Sequence, residues 1–307
     1  MPLPTHSRYD YSPILHRPPW RWPNDTGLAV YIAINLEHFS FGGGLGAQLA
    51  LPPPTQPDVL NFSWRDYGNR VGAWRLLDLL KEYEFPCSCL VNSEIYSYCP
   101  ELLKTFQGEG HEIVAHGRGN HERQGGLAED EERRLIAEAT EVLETKGGVR
   151  PKGWLSPWIS ESNVTPDLLQ EAGYKYTLNW ASDDQPFWMR TRSGSHIVSV
   201  PYPQELNDIP TIVPNRRSHV EFVDMIICNL REMERQVERT GQALVMGIAL
   251  HPYIMGQPFR LHELRRALDV LKMRQSAEKI WLTRAGDVAE YFAGLDLKAS
   301  EVTEGGQ

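Results

Sequence analysis

Leu28-Ala-Val-Tyr-Ile-Ala-Ile-Asn-Leu36, closing on Glu37-His38, is the stretch that decides the fold. A near-continuous run of apolar, β-prone residues suits a strand covered on both faces, as in a parallel sheet or barrel. Polar residues placed directly after such a strand stand where the loops of a β/α barrel carry chemistry.

The same punctuation recurs outward from this run. Further strands are expected at 87–91, 111–115, 153–156, 176–180, 197–200, 243–250 and 279–283. Stretches of helical spacing lie between them, at 67–83, 100–107, 127–145, 165–172, 221–239, 260–273 and 287–293. Regular alternation of strand and helix argues for a parallel β/α architecture. Residues 28–295 read as one catalytic domain. Residues 1–27, rich in Pro, Trp, Arg and Tyr, read as an arm that packs on the barrel or on a neighbouring subunit, and 296–307 as a flexible tail. The Gly- and Pro-rich connection at 39–57 is longer than most loops and is a candidate for function.

The chain has 307 residues, 41% of them hydrophobic, which is ample for a core without staples. Its net charge of −9 speaks against a nucleic-acid partner. No apolar run reaches the ~18 residues of a membrane span. The N-terminus has no signal-peptide pattern, so a cytoplasmic location is expected. Of four cysteines, Cys87 and Cys89 fall in a strand and are read as pointing to opposite faces, as small hydrophobes rather than zinc ligands.

Glu37, His116, Trp154, Asp183, Asn207 and His251 each fall at or just past the end of an expected strand. Singly, each has a structural reading as a turn or strand-end residue. Together they point to a shared pocket.

These motifs, taken in order, resemble the polysaccharide deacetylase (NodB-homology) superfamily, and within it the allantoinase-like (PuuE) branch. Asn35-Leu-Glu-His38, Gly110-His-Glu-Ile-Val-Ala-His116, Gly153-Trp154 with Ser156-Pro157, Asp183-Asp-Gln-Pro-Phe-Trp188, Pro201-Tyr202, Asn207-Asp208 and Leu250-His251 carry the resemblance. It implies a distorted (β/α)7 barrel, hydrolysis of a non-peptide C–N bond, and a homo-oligomer, tetrameric as in the allantoinase relatives. The deacetylase metal motif is not intact here. Its second aspartate is His38, position 120 is Asn with the next histidine at His121, and the third-motif arginine is Leu155.

Two site chemistries follow. Zinc or another divalent metal on His38, His116 and His121 would leave a position open for water. Against it, Glu37 and His38 alternate faces on an extended strand. Without a metal, no cofactor is implied: Glu37 acts as base, His251 as acid, and His116 with backbone N–H groups near Gly117 as oxyanion donor. Asn207 and Asp208 would then orient the substrate beside Asp183 and Asp184, with Trp154 and Trp188 as pocket walls. Arg118 either binds a substrate carboxylate or pairs with Glu122 on the surface.

The expected substrate is a small amide or ureide. The alternatives are a metal-dependent N-deacetylase of an acetylated sugar and a non-catalytic binding module on the same barrel.

Overall fold

The computed structural model describes residues 6–42 and 57–295. Most of the 39–57 loop and all of the tail at 296–307 lie outside the described residues. Among the described residues nine strands form one curled sheet: β1 Leu28–Leu36, β2 Ser88–Val91, β3 Glu112–Ala115, β4 Gly153–Trp154, β5 Tyr176–Thr177, β6 Phe187–Arg190, β7 His196–Ser199, β8 Leu244–Leu250 and β9 Trp281–Thr283. The order is β6-β7-β5-β4-β3-β2-β1-β8, with β9 also on β1. All pairs are parallel except β6 with β7. This is a distorted β/α barrel, left open between its two edges.

The helices are α1 Val59–Tyr67, α2 Ala73–Tyr83, α3 Ile95–Tyr98, α4 Pro100–Gly108, α5 Glu129–Gly147, α6 Thr165–Glu171, α7 Asp208–Ile212, α8 His219–Thr240, α9 Pro252–Met255, α10 Pro258–Ser276 and α11 Ala285–Gly294. No helix among the described residues is long and apolar enough to cross a membrane.

All nine residues of β1 are buried. Their alternation serves two cores. Leu28, Val30, Ile32, Ile34 and Leu36 pack outward against the helices. Ala29, Tyr31 and Ala33 face the barrel interior with Leu90, Val114, Leu155, Tyr176 and Val245. Trp22 from the arm and Val288 and Phe292 from α11 fill the interior. The N-terminus of α11 is held at the start of β2 and β3, where Ala285 N donates to Ser88 Oγ at 2.8 Å and Gly286 N to Glu112 Oε2 at 3.0 Å. That end of the barrel is plugged, which leaves the C-terminal ends of the strands for a site.

Three expectations need correction. Cys87 and Cys89 share a face, because residues two apart on a strand point the same way. Their sulfurs are 3.7 Å apart in the helix-side core. The helix expected over 67–83 begins earlier, at Val59, and passes through a π-turn at Gly68–Gly72 before α2. The antiparallel strand β6 was not foreseen.

The π-turn lets two backbones touch. A Cβ on Gly72 would lie 2.1 Å from Pro252 O and 2.8 Å from Pro252 C, right after His251. Backbone cannot yield as a side-chain tip does, so Gly72→Ala should cost ~1–3 kcal/mol, the usual penalty for overpacking. Urea unfolding checks this, with Gly108→Ala as control, since a Cβ there meets nothing within 4 Å. Equal midpoints for the two variants would refute the close approach.

Candidate active site

Register places the site. Leu36, Val91, Ala115 and Trp154 stand side by side across β1 to β4 and face the helices. The next row, Glu37, Asn92, His116 and Leu155, lies past the strand ends. His251 follows β8 directly, in register two residues behind Glu37 and of the same parity. Glu37, His116 and His251 therefore converge, and all three are buried.

Glu37 Oε1 lies 3.6 Å from His116 Nε2 and 3.6 Å from His251 Nε2. It accepts a hydrogen bond from Asn120 Nδ2 at 2.6 Å. The backbone carbonyl of Glu37 is held by Asn69 Nδ2 at 2.8 Å. His116 Nδ1 meets Leu155 O at 2.7 Å, and a carbonyl can only accept, so this bond turns Nε2 toward Glu37. Beside Glu37 is a cavity of about 10 Å³, also lined by Phe39, Phe62, Arg65 and Asn69. That is close to the room one water needs.

Asp208 holds His251 at two points. Its Oδ2 accepts from His251 N at 2.7 Å, and its Oδ1 lies 2.6 Å from Nδ1. Asn207 starts α7 by accepting from Ile209 N, so it serves as a helix cap rather than reaching the cluster.

Electrostatics separates the two halves of the cluster. Burial opposes ionisation of Glu37, yet His251 and His116 outweigh it and hold the carboxyl at about 2. Burial alone would lower His251, but Asp208 and Glu37 outweigh it and lift the imidazole to about 10. Burial raises the Asp208 carboxyl even against His251. The short Nδ1–Oδ1 contact holds a proton between the two groups. An ionised carboxylate thus faces a protonated imidazole across ordinary pH.

Other expected site residues fall elsewhere. Trp154 is fully buried on the helix side against Tyr174, with its indole bonded to Gln124 and Ser156. Strand parity turns it away from the pocket. Asp183 forms an ion pair with Arg17 of the arm at 2.6 Å. Asp184 receives Val245 N near the start of β8, six residues and so roughly 20 Å of strand from His251. Trp188 packs on Phe292 and lines a cavity of about 390 Å³ under the arm, with Tyr9, Trp20 and Phe187. This cavity holds none of the Glu37 cluster. Arg118 makes bonds to Glu122 at 2.9 and 2.8 Å and to Glu138 at 2.6 Å, which realises its surface reading.

The three histidines proposed as metal ligands divide between two clusters. His116 sits with Glu37, whereas His38 Nδ1 lies 2.9 Å and His121 Nδ1 3.6 Å from Glu94 Oε2. Among the described residues no three His, Cys, Asp or Glu side chains form a group that could hold a metal ion. The side chains present do not fit the metal the resemblance implies, since position 120 supplies an amide that donates to Glu37.

Sequence reasoning passed over Asn92, Glu94 and Trp158, and read Asn120 only as the break in a metal motif. Trp158 has a left-handed backbone, φ 63°, and its indole donates to Asn120 O at 3.0 Å, which ties it to the main chain beside Glu37. Asn92 is the first residue after β2, and the strand-end rule applied to that strand would have found it.

Residues 55–177 match the polysaccharide deacetylase family profile. A peptidoglycan deacetylase of Helicobacter pylori (strain ATCC 700392 / 26695) is 29% identical over 143 residues, which are 46% of this chain and 48% of that protein. The chain thus matches about half the length of that relative. Among solved structures, PuuE allantoinase superposes with a TM-score of 0.77 at 24% identity, over 92% of this chain and 95% of that one. A structure described as a probable polysaccharide deacetylase from Pseudomonas aeruginosa PAO1 gives 0.78 at 25% identity, over 91% and 95%.

Proposed function

We propose that this chain, whose residues 55–177 match the polysaccharide deacetylase family profile, is a hydrolase of non-peptide C–N bonds that cleaves a small amide or ureide with Glu37 as base and His251 as acid. One observation carries the reading: a buried carboxylate and a buried, Asp208-held imidazole stand 3.6 Å apart. Opposite protonation needs are met without moving either group.

In this scheme Glu37 takes a proton from water as the water oxygen bonds to the carbonyl carbon. The carbonyl π pair moves to oxygen, and His116 with backbone N–H groups near Gly117 stabilises that charge. Collapse breaks the C–N bond as His251 Nε2 gives its proton to the leaving nitrogen. Asp208 keeps the ring aligned throughout. The residues supply both proton transfers, and no step runs through a metal. Assembly as a homo-oligomer is part of the same proposal, as is a cytoplasmic setting.

A panel of hydantoins, ureides, cyclic imides and N-acetylated sugars tests the substrate class, assayed with and without a chelator. Ring opening or amide hydrolysis that survives chelation is expected. Acetate release from an acetylated sugar, abolished by chelation and restored by zinc, would instead support the metal-dependent deacetylase.

A further inference from the structure

The two oxygens of Glu37 are not equivalent. Oε1 faces both imidazoles and takes the 2.6 Å bond from Asn120. Oε2 is buried and has no hydrogen-bond partner among the described residues. A buried acceptor left unpaired is costly, so such an atom asks for an explanation. Nothing in a carboxylate itself distinguishes its ends.

Asn120 could equally present its own oxygen to Glu37, because an amide has a donor end and an acceptor end of one shape. Its oxygen is instead turned toward Asn92, whose Nδ2 lies 3.4 Å away. Asn92 is fixed in turn by backbone groups that cannot flip. Its Oδ1 accepts from His38 N at 2.9 Å, and its Nδ2 donates to His116 O. Direction therefore passes from the His38 N–H through Asn92 to Asn120, and ends as a donated bond on Oε1. Both amides are buried, Asn92 fully and Asn120 to within 5%. The Asn120 main chain is also held on both sides, by its N–H to His38 O at 2.8 Å and by the Trp158 indole on its carbonyl.

We propose that Asn92 and Asn120 form a directional amide relay that pins Glu37 Oε1 and reserves Oε2 as the atom that receives the proton of the attacking water. Both are positioning residues, and the inference rests on Glu37 being the base. It adds which oxygen acts and what selects it.

Asn120→Asp separates this role from mere space-filling. Aspartate keeps the shape but replaces the donor by a second carboxylate facing Oε1. A structural role ranks Asn120→Asp above Asn120→Ala, whereas the relay ranks it below. On whichever panel compound the wild type hydrolyses, kcat should fall by about 10- to 100-fold in Asn120→Ala and further in Asn120→Asp, the size expected for a lost bond to a charged group, while KM stays within about threefold. Asn92→Asp should repeat the loss by inverting the Asn120 amide.

Crystal structures of the same variants give a second readout that needs no turnover. The Glu37 carboxylate should be turned away from position 120 in Asn120→Asp. If it stays in place in both Asn120 variants, or if Asn120→Asp keeps more activity than Asn120→Ala, the relay is wrong. If no panel compound is cleaved by the wild type but Glu37 moves as stated, the relay stands and the proposed reaction fails.

Discussion

Glu37→Gln is expected to remove hydrolysis by a factor of ~10²–10⁴ or more while leaving the circular dichroism spectrum and cooperative unfolding intact. The substitution changes one atom in a buried pocket, so packing is kept. The amide cannot take a proton from water, and its NH2 group would either meet the Asn120 donor at the Oε1 position or occupy the Oε2 position reserved for the water. Loss of the charge also withdraws one of the two carboxylates that lift His251. Base and acid thus fail together. A variant with activity within tenfold of wild type, measured as kcat/KM, would show that another group activates water.

Asp208→Asn should cost a similar amount, up to ~10⁴-fold, through His251 alone. The amide removes a charge that both lifts the imidazole and anchors its Nδ1. The pH dependence reveals the cause. Activity needs Glu37 ionised, hence pH above about 2, and His251 protonated, hence pH below about 10. In Asp208→Asn the alkaline limb should move to lower pH, with the acidic limb unchanged. An alkaline limb that does not move would mean that His251 is not the acid. The same raised imidazole is linked to folding: its contribution is full below the unfolded value near 6.5 and is lost as pH rises through about 10.

The sequence carried much of the barrel because β1 is long and apolar on both faces, and because residues that end parallel strands stand together. Glu37, His116 and His251 come from strands that β1 pairs with or adjoins within two places, so their convergence follows from register. Trp154 also ends a strand, but it is one residue earlier in that register and belongs to the outward row. Counting parity from Ala115 would have turned it away. Asp183 and Trp188 needed knowledge of β6, whose four residues run antiparallel and carry the chain away from the strand ends. Asp208 was expected against substrate and instead grips His251, a contact across 43 positions that local pattern cannot reveal. Asn120 marked the break in a metal motif. What replaced the ligand, a bond to Glu37, is a matter of three-dimensional neighbours only.

Strand pairing holds β8 to β1 along one side, while its other side rests on scattered backbone bonds, Val245 N to Asp184 O and Ala249 N to Leu206 O. Such an edge separates at a lower free energy than the whole domain unfolds. Asp208 lies two residues past Leu206, so each separation draws it off His251, whereas Glu37 and His116 stay at the ends of the paired strands β1 and β3. Warming would then disarm the acid half of the pair first and reversibly, as a loss of turnover that runs ahead of melting.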